Sequence, residues 1–154
     1  MILDKLISKV DDIAVNSGKL APLDFFELAQ MFFNQDNVKE KILDLNRDRL
    51  YIESTDNMGV YLPPYSEWTA KHKRRVGLPD ERYTYYETGA THESLDLYVD
   101  DEFAMVVLGV DAPSYACLLD SSAWGITDDQ YDEEVRDTLL GFVQDKLKDY
   151  LING

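Results

Sequence analysis

Leu3, Leu6, Ile7, Val10 and Ile13 recur at three- and four-residue steps, the spacing that lines one face of a helix. Asn16, Ser17 and Gly18 end that pattern. Residues 22–34 begin with Pro22, favourable in a first helical turn, and predict a second helix buried over much of its circumference. Asp36 and Asn37 offer an N-cap for a third, whose apolar positions Val38, Ile42, Leu45 and Ile52 run towards residue 53. The pattern then breaks. Residues 53–66 collect Asp56, Asn57, Gly59, Pro63 and Pro64, which predict a long surface loop or extended arm. Ser66 can cap a short helix from Trp68 to Arg75, closed by Gly77 and Pro79.

The period changes at residue 94. In "SLDLYV" Leu95, Leu97 and Val99 alternate with Asp96 and Tyr98, the two-residue period of a half-buried strand. A polar turn at Asp100, Asp101 and Glu102 leads to "FAMVVLGV", apolar on both faces, so this strand is expected to lie centrally or under a neighbouring subunit. The pair predicts a β-hairpin. Asp111, Ala112 and Pro113 mark the next turn, and "SYACLLD" suits a short helix. Tyr131, Val135, Leu139, Phe142, Lys146, Leu147 and Tyr150 predict one long amphipathic C-terminal helix, with Asp128, Asp129, Glu133 and Glu134 near the end that favours negative charge. The expected fold is α+β: N-terminal helices and a long C-terminal helix on a small antiparallel sheet, in a single domain over residues 1–154.

Charge narrows the partners. Thirty acidic residues against fifteen basic ones give a net charge of -15, which repels nucleic acid and anionic membrane at long range. Neither specific nucleic-acid binding nor membrane association is expected. The single Cys117 suits a reducing cytoplasm and reads as a buried structural thiol. The N-terminal apolar run is too short for an export signal or membrane span. One basic patch, "KHKRR" at 71–75, opposes the general charge and reads as a solvated or subunit-facing cluster, with Trp68 as a packing anchor beside it.

Catalytic patterns are missing from the sequence. It has no nucleophile elbow, no His-Glu-x-x-His helix, no phosphate-cradling glycine loop and no dinucleotide fingerprint. No cofactor is therefore expected. His92, Glu93 and Asp96 form the nearest approach to a metal set, but their spacing favours a solvated turn. "DDQYDEE" lacks the glycine and spaced oxygens of a calcium loop and reads as a helix start. Neither catalytic nor metal-ligating residues are assigned.

Several segments, in order, resemble tailed-bacteriophage tail-completion or virion-morphogenesis proteins: "NRDRLY", "YSEWTAKHKRRVGLP", "ETGATHESL", "SYACLLDSSAWG" and the acidic-start final helix. The likeness spans roughly residues 38–152. It implies a non-enzymatic subunit, made in the host cytoplasm and resident in the neck or tail of the virion. Its partners would be copies of itself in a ring around the DNA channel and neighbouring neck or tail proteins. It also implies that Thr88 and Gly89 form a turn, that Ser94 and Leu95 open the strand, and that Tyr115 and Ala116 follow the second strand. His92, Glu93 and the acids after Trp124 depart from the family pattern. Candidate subunit-interface residues are Tyr61 and Tyr65 in the arm, Lys73, Arg74 and Arg75 in the patch, and Phe103, Met105 and Val107 in the apolar strand. The competing expectation is a small acidic inhibitor or DNA mimic that occupies a basic site on a host protein.

Overall fold

The computed structural model describes residues 25–99, 104–108 and 123–153. The expected first helix, the "SYACLLD" helix, and the residues Phe103, Tyr115, Ala116 and Cys117 lie outside the described residues.

The fold is α+β. Helices α1 (Phe25–Phe33) and α2 (Asp36–Asp48) form a tight corner, and α2 runs without interruption into one π-helical turn, Arg49–Glu53. The cap of α2 differs from expectation: Gln35 takes the extended N-cap conformation, with no side-chain cap bond, while Asp36 is already helical. The Gln35 carbonyl accepts from the Val38 and Lys39 amides instead. The short helix α3 spans Glu67–Val76 as its signals predict, with Ser66 Oγ accepting from the Thr69 amide and Gly77 closing it in the left-handed conformation. A single turn, α4 (Ala90–Glu93), precedes strand β1 (Leu95–Val99), which pairs antiparallel with β2 (Ala104–Leu108).

Strand register places Leu97 opposite Val106 and Asp96 opposite Val107. Leu95, Leu97 and Val106 are buried while Asp96 and Tyr98 are exposed, so the alternation sets one face against the core. That face packs on α2, whose Val38, Ile42 and Leu43 join Phe32, Leu50 and Leu62 in a continuous cluster. Val135, Leu139 and Val143 close it from the C-terminal side.

The C-terminal helix is not one piece. It is divided into α5 (Asp128–Glu134) and α6 (Arg136–Asn153) at Val135, whose φ of -117° lies outside the helical range. The Val135 and Leu139 amides still bond to the carbonyls four residues back, so the chain stays helically bonded on both sides of the break. It lets Val135 enter the core while α5 keeps its acids in solvent. α5 starts on a capping box in which Thr127 Oγ1 accepts from the Gln130 amide and Gln130 Oε1 accepts from the Thr127 amide.

Candidate interaction surface

Ile42, Asn46, Arg49 and Leu50 continue one face of α2 inward, so two polar side chains enter an apolar interior. Each finds partners. Asn46 Oδ1 accepts from the Gly125 amide at 3.0 Å. Arg49, only 1% exposed, donates to the carbonyls of Thr55, Ala123 and Gly125. Burial pulls its guanidinium below the usual arginine range, while the Asp56 and Glu53 carboxylates act in the other direction. The π turn carries this face onward: Arg49 and Leu50 are buried within it, while Tyr51 and Ile52 lie outside.

The arm begins there. Ser54 is left-handed, the Leu62 amide bonds to the Ser54 carbonyl, and the Asp56 amide bonds to that of Val60. Asp56 Oδ1 accepts from both the Met58 and Val60 amides, and Gly59, with φ +75°, completes the turn. Residues 54–62 thus form an ordered hairpin rather than an open loop, pinned by Arg49 beneath and by Asn57 Nδ2 donating to the Trp124 carbonyl. Its root is buried at Leu62; its tip is apolar and bare. Met58 is 80% and Tyr61 67% exposed, with Val60 exposed between them and Ile52 at the base. Arg82 lies over the Tyr61 ring at 4.9 Å.

Tyr61 is therefore on the surface, but Tyr65, expected beside it, turns inward. Its hydroxyl accepts from the Thr84 amide at 3.0 Å, and the Lys73 ammonium sits 4.8 Å from its ring centre. Lys73 itself departs from the solvated or subunit-facing reading. Its side chain is 3% exposed, and its charge is met by Glu87 at 3.0 Å and by the Tyr86 carbonyl. The hydrogen bond that Lys73 donates to Glu87, helped by one from His72, holds the Glu87 carboxyl below the ordinary range. Arg74 and Arg75 remain exposed, with Arg74 paired to Asp80. Trp68 departs from the packing-anchor reading: it is 78% exposed and, among the described residues, packs on no core and stacks on the His72 ring at 6.1 Å.

Thr88 and Gly89 form the expected turn. Gly89 has φ +92°, and Thr88 Oγ1 accepts from the Ala90 amide. Ser94 Oγ donates to the Thr91 carbonyl as the strand begins. The reading of His92 as a solvated turn residue is overturned. It is 5% exposed, its Nε2 lies 2.7 Å from the Thr84 carbonyl, and its ring meets Tyr86 edge-on. Burial in this pocket wall lowers its pKa, against the Thr84 hydrogen bond and with the Arg47 charge. A shallow depression of about 610 Å³ lies beside it, bordered by Arg47, Asp48, Tyr51, Tyr86 and Glu93. His72 is not part of that lining, and Arg47 is already engaged by Glu40, Asp44 and the His92 carbonyl.

On the sheet, Val107 is half-buried, and Met105 pairs in register with the exposed Tyr98. Among the described residues no three His, Cys, Asp or Glu side chains gather to hold a metal ion, and no helix is long and apolar enough to cross a membrane. The sequence reading missed Arg49 and Asn46, although both fall at i+7 and i+4 from Ile42 on an apolar helix face, where a polar residue needs an internal partner. No family model, no curated protein and no solved structure matches the chain.

Proposed function

We propose that this chain is a non-enzymatic structural subunit of a tailed-phage virion, completing the tail or joining head to tail as a ring of copies around the DNA channel. One observation carries the reading: an apolar tip, Met58, Val60 and Tyr61, held out on a hairpin that is hydrogen-bonded along its length. Apolar side chains on a flexible loop would fold back at little cost. On a braced hairpin they stay exposed, and such a surface is usually covered by another protein. The resemblance of residues 38–152 to tail-completion proteins supplies the setting, and the net charge of -15 would let DNA pass a ring without adhering.

Mass spectrometry of purified particles from a phage that encodes the chain tests the assignment. The chain should be a stoichiometric component, and Met58→Asp with Tyr61→Asp should remove it from particles while the protein stays folded. Particles that lack the native chain would falsify the reading.

A second reading, a small acidic inhibitor or DNA mimic of a basic host protein, draws on the exposed carboxylates of α5: Asp128, Asp129, Asp132 and Glu133. It requires a soluble monomer that competes with DNA for that host protein and is absent from virions.

A further inference from the structure

Two surfaces of the chain are complementary to each other. The exposed face of α3 carries Trp68, Lys71 and Arg75 at steps of three and four, so they form one stripe along the helix. Its ion pairs run to Glu67, Glu87 and Asp80, and Arg75 meets no carboxylate among the described residues. Elsewhere, between the arm tip and the start of α5, lies a groove of about 860 Å³. Glu53, Asp128, Asp129 and Glu133 border it, with Met58 and Ile126 as its apolar part. None of those four carboxylates pairs with a cation among the described residues.

We propose that the Trp68, Lys71 and Arg75 face of α3 docks in the acidic groove of a second copy of this chain. This rests on the assembly reading above and names the contact it would use. Identical subunits of charge -15 repel wherever like meets like, so contact between copies needs a place where base meets acid. α3 presents Lys71 and Arg75 on its exposed face, and the groove gathers four acids, none of them within ion-pair distance of a cation among the described residues. Among the described residues the indole of Trp68 has no core contact, and Met58 with Ile126 offers it an apolar seat between charges. Because helix and groove are different surfaces, the contact is head-to-tail, the kind that closes a ring when the rotation permits.

Sedimentation of the full chain tests this with two charge-reversed variants, Lys71→Glu/Arg75→Glu and Asp129→Lys/Glu133→Lys. Each alone should weaken self-association at least about ten-fold. Mixed in equal amounts they should recover it, because the native helix of one fits the native groove of the other and the reversed surfaces fit each other. Association of the native chain should also fall between about 50 mM and about 500 mM salt. If lysine at Asp129 unfolds α5, Glu53→Lys/Glu133→Lys replaces that variant, and the exposed Trp68→Ala weakens association without touching the core. Native association unchanged in the variants, or a mixture that stays as weak as its components, overturns this contact and leaves the assembly reading standing. A native chain still monomeric at about 1 mM overturns it as well. Absence from particles is the separate result that removes the assembly reading.

Discussion

Arg49 Nη2 donates to the Ala123 carbonyl at 2.8 Å, binding the end of α2 to a segment 74 residues further along the chain. The same guanidinium holds the Thr55 carbonyl, so one buried cation ties the arm, the π turn and the approach to α5 together. Arg49→Met fills much of the volume but takes the guanidinium from three carbonyls, of which Ala123 keeps only the long bond from Asn46. The expected loss is about 3 kcal/mol in urea unfolding, since buried groups that lose a charged partner cost more than an ordinary hydrogen bond. Hydrogen exchange should localise the effect, with the Asp56 and Leu62 amides exchanging faster while those of α6 keep their relative protection.

Asn46 shares that acceptor. Its Nδ2 lies 3.5 Å from the Ala123 carbonyl oxygen, and its Oδ1 holds the Gly125 amide at 3.0 Å. Asn46→Leu should cost about 2 kcal/mol, the penalty of an orphaned buried amide. Residues converging on one acceptor do not act independently, so a double-mutant cycle with Arg49→Met should return a coupling of about 1 kcal/mol. Additive losses would mean that Arg49 and Asn46 support separate parts of the fold.

Much of this architecture is legible from spacing. The alternation of Leu95, Leu97 and Val99 fixes which face of β1 is buried, because a strand has only two faces. Ser66 and Gly77 bound α3 through local chemistry that needs no tertiary context. The break at Val135 was hidden because the hydrophobic period continues across it, and the local departure of its backbone comes where Val135 meets the core. Lys73 and His92 were hidden for another reason. Both are residues that water usually solvates, and their burial depends on carbonyls supplied by the distant Tyr86 and Thr84. Within the candidate surface, the arm could be placed by its turn residues, whereas the inward direction of Tyr65 follows from its bond to Thr84.

Gly89 has φ +92°, and a Cβ there would lie 3.4 Å from both Glu93 Oε1 and the Tyr86 ring. Gly89→Ala therefore combines a left-handed backbone with close contacts on two sides. It should destabilise the protein by about 1–2 kcal/mol. Ala at Gly141, where a Cβ meets nothing within 4 Å, should be neutral or mildly stabilising by comparison. Equal effects at Gly89 and Gly141 would remove the conformational argument.

Glu87 links α3 to the turn before β1 by meeting Lys73 and His72, both at 3.0 Å. Its carboxyl titrates below the ordinary range, chiefly because Lys73 donates to it. The native state thus binds its proton less readily than the unfolded chain: this stabilisation is complete above the usual carboxylate pKa of 4.5 and is lost as pH falls through the lower native value. Glu87→Gln leaves the Lys73 ammonium with the Tyr86 carbonyl but no countercharge and, because solvent already screens the 44% exposed Glu87 side chain, should cost about 1 kcal/mol at neutral pH. Adding Lys73→Met, which keeps an apolar stem over Tyr65, should recover part of that loss. No recovery would mean that Glu87 acts on something other than the buried ammonium.

His92 sets a different pH window. Burial places its native pKa below the ordinary 6.5, so between the native value and 6.5 the unfolded chain holds more protons than the folded one. Stability must therefore rise with pH through that window and level off above 6.5, the opposite of a histidine held by a carboxylate. His92→Gln retains a donor for the Thr84 carbonyl but has no proton to gain. Urea midpoints of both proteins from about pH 5 to about pH 8 should converge at the acidic end, because only the native chain carries this linkage. A difference between them that stays constant over the whole range would show that His92 is not held neutral by the fold.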